Sequence, residues 1–479
     1  GDTLMFGSRI SNFGGPGGAL PVYREFDRPA RAHAEASIGT YISPRVMVHG
    51  EYNQRQFDLM GTVDYRGTDG HLDLARASSL LLDARGGVLL GGDDPTAPRV
   101  RITAGFDRIG DSYFLYGHRL FTNDRARVVT RFNAALASAQ DALLDYDIYF
   151  RLEHSSVSDV PGDATALATA STPGFGIALS AGNDTLRGRL GADYQISTLK
   201  YGGSARTPNW VAANFELDWH PNPQLLLTAG ARYSGAQHSD TGSTNLFLPR
   251  VSARYQASRS LSLFAWYAPE LRAPSYRNRI MQSPYVDRKM VLRAERVPVN
   301  VAAGLRFSSD AVTLEGRVLF ETADNTPVVN EDSSVGGALF YHHVESRTLA
   351  LRASAQMQLL PSLALLVEAQ IGSSVDVATD DQLPMTPLID ARLRADYSLS
   401  NALGLFAAMQ YKGEQNTTLD ASDLVIAAHV LVDAGASYQL SDAFAVFAEV
   451  TNLLGTSYEV WGGYEAPGFE ARGGVRFTF

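Results

Sequence analysis

The chain has 479 residues, no cysteine and a formal net charge of -10, from 41 Lys and Arg against 51 Asp and Glu. Basic residues are scattered, which excludes the basic stripe that nucleic acid requires, and the absence of cysteine removes disulfides without deciding the compartment. No run of about 18 apolar residues occurs, so no membrane-spanning helix is expected, but a strand-built barrel stays open because half of each barrel strand is polar.

An ordinary chain of this length would divide into domains of about 100–200 residues, whereas a barrel grows by adding hairpins. The chain starts at Gly1 without a charged and apolar leader, so it is expected to be a mature protein or a fragment. Polar, turn-forming breaks then recur along it. They lie near Ser43-Pro44, Asp93-Asp94-Pro95, Gln140-Asp141, Asn183-Asp184, Pro221-Asn222-Pro223, Ser258-Arg259, Ser309-Asp310, Pro361-Ser362, Ser400-Asn401 and Ser441-Asp442. Roughly 35–50 residues separate most of them, enough for two tilted strands and a loop. About ten tight turns on one side, with both termini on that side, predict an all-β fold: a transmembrane antiparallel β-barrel of about 22 strands. The first hairpin in this reading is 2–11 plus 30–41. The Gly-rich stretch 14–19 leaves about 20 strands as the other possibility.

Alternation supports the barrel independently of the turns. In 99–107, Val100, Ile102, Ala104 and Phe106 oppose Arg101, Thr103 and Asp107; in 144–153, Leu144, Tyr146, Ile148, Phe150 and Leu152 oppose Asp145, Asp147, Arg151 and Glu153. In 312–321, Val312, Leu314, Val318 and Phe320 oppose Thr313, Glu315, Arg317 and Glu321, with Leu319 the one exception on the polar face. Charges of both signs on one face suit a wet lumen and not a protein core. A soluble sandwich or propeller is the alternative, against which stand the strand lengths and the lack of a blade-like repeat.

The loops opposite the tight turns are mostly short, at 202–207, 239–245 and 379–384, so a further subunit is expected to cover or plug the mouth. The longest, 273–295, places Arg277, Arg279, Arg288, Lys289 and Arg293 among Tyr276 and Tyr285. Guanidinium forks beside aromatic rings suit an anionic or carboxylate-bearing ligand, which makes Tyr276, Arg277, Arg279, Tyr285 and Arg288 the candidate ligand-binding residues. Solvation near anionic lipopolysaccharide is the other reading of these cations. His342 and His343 are neighbours on a strand and point to opposite faces, so no metal site is assigned. The acidic pairs Asp93-Asp94 and Asp380-Asp381 lack calcium-loop spacing and read as turns. Trp266, Tyr267, Tyr458, Trp461 and Tyr464 fall toward strand ends, where amphipathic rings form interfacial girdles. No catalytic grouping, phosphate loop or cofactor motif stands out, so no enzyme and no cofactor are expected.

The chain ends on a strand, with Ala471, Gly473, Val475, Phe477 and Phe479 opposite Glu470, Arg472, Gly474, Arg476 and Thr478. One face suits lipid and the other water. Asn452-Leu453-Leu454, Tyr458, Gly463-Tyr464, Pro467-Gly468 and the terminal aromatic resemble the closing hairpin of TonB-dependent outer-membrane receptors, with Phe469 where that family often carries Arg. Arg272-Ala273-Pro274, Ser283-Pro284-Tyr285 and Glu295 resemble the same family's turn into a long external loop. The resemblance implies a bacterial outer-membrane location and uptake of a scarce nutrient such as a metal chelate, vitamin, peptide or glycan. It assigns Tyr458, Tyr464, Phe477 and Phe479 to barrel closure and assembly. The family carries a plug and a TonB-engaging segment before the barrel. Here residues 1–479 read as barrel alone, so a plug would come from a missing segment or a partner, and TonB would act only if a plug exists. Membrane lipid and lipopolysaccharide are the remaining expected partners. A plugless scaffold for other envelope proteins is the alternative function, and a passive porin a third.

Overall fold

The computed structural model describes residues 30–54, 56–91, 99–118, 123–138, 144–160, 167–201, 204–240, 242–332, 334–419 and 424–479. Within them one antiparallel sheet of 25 strand segments closes on itself as a 22-stave barrel. The two counts differ because Thr198–Tyr201, Ser204–Arg206 and Glu270–Arg272 prolong the staves of Leu186–Ile196, Asn209–Asn222 and Leu261–Tyr267 across short breaks. The seam is made by the ends of the chain. Ala30–Gly39 pairs with Glu470–Thr478, from His33 opposite Thr478 to Gly39 opposite Arg472, and Phe479 N–H donates to the Ala32 carbonyl at 3.0 Å.

Side-chain alternation sorts the two faces of the wall. Phe106, Phe150, Leu190, Phe215, Val318 and Ile371 are all exposed on the outside, as are Phe477 and Phe479 at the seam. An apolar belt around a whole molecule is far beyond what a soluble surface carries, and it is what a lipid-facing wall requires. The inner face holds the charges, most of them tied across strands: Arg45 to Asp64 at 3.1 Å, Arg131 to Asp107 at 2.8 Å, Arg250 to Glu216 at 2.9 Å and Arg476 to Glu35 at 2.9 Å. No helix among the described residues is long and apolar enough to cross a membrane.

The turn count and the strand number agree with the sequence reading, but one turn belongs on the other rim. The registers put Ser43-Pro44 between Ala30–Gly39 and Arg45–Gln54, on the loop rim, beside Arg472 and away from the chain ends. The missing tight turn is the one between Gln54 and Phe57. In the turn that holds Ser43-Pro44, Tyr41 and Ile42 adopt positive φ, which the Pro-based break concealed. Accordingly the first described hairpin is Ala30–Gly39 with Arg45–Gln54; residues 2–11, assigned to the first strand from sequence, and the breaks at 93–95 and 140–141 lie outside the described residues.

The wall is not level. Val312–Glu331 runs for 20 residues and Leu339–Leu360 for 22, about twice the 9–11 that a tilted strand needs to cross a bilayer. The surplus stands above the lipid on the loop side, where it can hold loops over the mouth.

Candidate functional site at the mouth

The long loop 273–294 leaves the wall between Glu270–Arg272 and Glu295–Ser308, and it does not stay near its own rim. Its core partners include Val129, Val157 and Leu199 on one flank and Val329 and Leu339 on the other. Between the stave of Val129 and that of Leu261–Tyr267 stand Leu144–Ser158, Leu167–Gly182, Leu186–Ile196, Asn209–Asn222, Leu225–Gln237 and Ser243–Gln256. At about 4.8 Å per strand that is roughly 30 Å of wall, so the loop reaches Val129 by crossing the mouth.

Local chemistry explains its shape. Pro274 and Ser275 start the short helix α1, Tyr276–Gln282, with the Ser275 hydroxyl accepting from Asn278 N–H at 3.1 Å. Tyr276, Ile280 and Met281 form its buried face. Its last carbonyls are satisfied largely by the wall: Arg127 Nη1 donates to Ile280 O at 2.5 Å, and the Tyr341 hydroxyl donates at 2.9 Å to Arg279 O, which also accepts from Ser283 N–H at 3.1 Å. Ser283-Pro284 then ends the helix and turns the chain into an extended run.

That run is latched at every step. Arg125, 2% exposed, donates through Nη1 to Pro284 O and Val286 O, both at 2.7 Å, and through Nε to Asp159 at 2.5 Å. Asp159 also pairs with Arg288 of the loop. The Tyr113 hydroxyl adds a bond to Pro284 O at 2.7 Å, and Tyr201 one to Met290 O at 2.9 Å. Beneath them Arg127 is held by Asp111. At the exit, Ser239 exchanges bonds with Leu292, Ala294 N–H donates to His238 Nδ1 at 3.0 Å, and Arg293 pairs with Asp240 at 2.8 Å. Burial lowers the His238 pKa, which keeps the ring neutral and able to accept.

Three further loops meet over this one. Gly337 has a positive φ of 75°, and a Cβ on it would run into the Gly117 carbonyl, while one on Gly117 would strike the Gly463 backbone. Only glycine permits that crossing. Tyr464 stacks on Tyr285 with ring centroids 3.8 Å apart, and Tyr116 meets Tyr464 edge-on at 5.4 Å. Burial pushes the Tyr116 hydroxyl up to about 12 and holds that of Tyr285 well above the ordinary value, so the cluster stays neutral.

The structure therefore gathers the five sequence candidates into one cap, each engaged with protein. Tyr276 is buried, Tyr285 stacks, Arg288 pairs with Asp159, and Arg279 lies over the Tyr341 ring at 5.6 Å. Arg277 faces Glu153 of the wall at 3.7 Å. Tyr464 belongs to this cap and Tyr458 stacks on His429 at 4.6 Å in the last loop, so of the four residues tied to closure only Phe477 and Phe479 lie on the seam. Trp266, placed in the girdle from sequence, stacks on Phe264 at 5.6 Å on the inner face, opposite exposed Leu263. Arg125, Arg127, Tyr113 and Asp159 were not singled out from sequence. Their only local signal is a polar side chain at the lumen-facing position of a strand end, which many residues share.

Among the described residues no group of three or more His, Asp or Glu could hold a metal ion. No curated protein matches the sequence. Similar solved structures include the FrpB iron transporter of Neisseria meningitidis, at 13% identity and TM-score 0.75, covering 95% of this chain and 82% of that one. The siderophore receptor PirA of Acinetobacter baumannii is 12% identical with TM-score 0.73, covering 95% and 81%. The copper transporter OprC is 14% identical with TM-score 0.70, covering 94% and 80%. The family described as TonB dependent receptor-like, beta-barrel matches residues 50–453. With its closed wall and lipid-facing belt, the chain belongs to this family of outer-membrane receptors and transporters, which are not enzymes.

Proposed function

We propose that the barrel takes up a scarce nutrient, with metal chelates the first class to test and vitamins, peptides and glycans after them. The observation that carries this reading is a mouth latched by buried ion pairs above a charged lumen. A passive pore has no use for a loop held across it by Arg125 and Asp159. The similar structures named above for iron, a siderophore and copper favour metal chelates among the classes. In this reading the loops capture the solute, the cap releases, and a plug from a further segment or a partner passes it inward under the pull of TonB. Membrane lipid and lipopolysaccharide solvate the outer wall.

Uptake of labelled iron and copper chelates, then of the other classes, by cells with and without the barrel tests this. Uptake that needs both the barrel and an energised inner membrane is the expected result. Uptake that ignores the barrel in every class, or that ignores energy, refutes it.

A further inference from the structure

Where α1 meets the wall, three guanidinium groups share a small space with two carboxylates. Arg277 of the helix lies within electrostatic reach of Arg131, Arg151, Glu153 and Asp107. All but Arg151 are largely buried, with side-chain exposures of 10% for Arg277, 15% for Glu153, 11% for Arg131 and 6% for Asp107. Arg131 is committed to Asp107, with both carboxylate oxygens within 2.9 Å of its Nε. Among the described residues that leaves Glu153 as the only counter-charge for Arg277 and Arg151, so the cluster carries one surplus positive charge. Burying an unmatched charge is unfavourable, because no partner repays the loss of its hydration.

The surplus is directed. Arg277 Nε and Nη2 are buried without a hydrogen-bond partner, and Nη1 is used on Asn278 at 3.2 Å. Nε and Nη2 form the side-on fork of a guanidinium, the edge that takes a carboxylate through two parallel bonds. Glu153 stands 3.7 Å from Nε, too far to fill it. Arg151 rests over Gly174, where an added Cβ would come within 3.4 Å of its Nη2, and it has no ion pair or hydrogen bond among the described residues. Burial lowers the Arg277 pKa without a bond to offset it, in keeping with a group that lacks its partner.

We infer that Arg277 and Arg151 form a binding site for a single carboxylate group on the underside of the cap. A carboxylate there neutralises the surplus and bridges helix to wall, so binding tightens the cap. The inference deepens the uptake reading and rests on it only for the natural ligand, a carboxylate-bearing solute. Binding itself is read on the purified barrel, so its failure and that of uptake are separate results.

The test is hydrogen exchange of the 276–282 amides in the folded, detergent-held protein as acetate replaces chloride at constant ionic strength. Exchange is expected to slow at least threefold in the native protein. It should not change with acetate in Arg277→Gln, and Arg347→Gln on the outer rim, whose pair with Asp380 is exposed, should behave as native. If Arg277→Gln fails to give a heat-modifiable barrel, Arg151→Gln is read in its place with the same expectation. The inference is overturned by native exchange that ignores acetate, which would mean a direct Arg277–Glu153 bond closes the gap. It is equally overturned by an acetate effect that persists in the substituted protein.

Discussion

Replacing Arg125 by Met keeps an unbranched apolar stem and removes the latch. Three bonds disappear together: those to Pro284 O and Val286 O at 2.7 Å and that to Asp159 at 2.5 Å. Breaking a buried ion pair from one side costs about 3–5 kcal/mol. Asp159 keeps Arg288, so the lower end applies. The barrel wall does not depend on these bonds, which join loop to wall, so the cost falls on docking of the cap. About 3 kcal/mol corresponds to roughly a hundredfold more open cap, at 1.4 kcal/mol per tenfold. Hydrogen exchange of the 276–292 amides should therefore accelerate on the order of a hundredfold, while amides of Val312–Glu331 stay protected. Arg347→Gln should change neither, because its pair with Asp380 is exposed at 51% and 76%. An Arg125→Met protein that is a heat-modifiable barrel yet exchanges within threefold of native in 276–292 would refute the latch.

Gly337→Ala should open the same cap by a different route, since the added Cβ meets the Gly117 carbonyl at a positive φ; limited proteolysis within 276–292 should become faster with no loss of barrel. The exit anchor should depend on pH. His238 must be neutral to accept from Ala294, and burial lowers its pKa below the 6.5 of the unfolded chain. Its contribution is therefore complete above about pH 6.5 and lost as pH falls toward the folded pKa. The protection of the 292–295 amides, taken relative to the intrinsic exchange rate at each pH, should fall between pH 7.5 and 5, and His238→Gln, whose amide oxygen can still accept, should flatten that dependence. Finally, Phe150→Arg puts a charge on the lipid face and should lower stability by about 2–4 kcal/mol if it lies at the bilayer midplane, less toward an interface. Denaturant titration in lipid vesicles measures it, and a lumen change such as Arg317→Gln, which breaks no ion pair or hydrogen bond among the described residues, should cost much less.

The wall was readable in the residues because a barrel strand writes its two environments at a period of two. Phe150 and Leu152 outward, Arg151 and Glu153 inward, needs no partner to be recognised. Tight turns are equally local, which is why the count held even though Ser43-Pro44 sits on the opposite rim. Tyr276, Arg277, Arg279, Tyr285 and Arg288 were recognisable as an unusual loop from their composition alone. What no stretch of sequence contains is where that loop goes. Its path is set by contacts between residues far apart in the chain: Arg125 with Pro284, Tyr285 with Tyr464, Gly337 with Gly117. Each is an ordinary residue until the closed ring brings strand ends from opposite flanks over one mouth. The surplus charge around Arg277 is likewise a property of the assembled site, because it depends on Asp107 already being taken by Arg131. Periodicity determined the barrel; only closure of the ring decided what stands in its mouth.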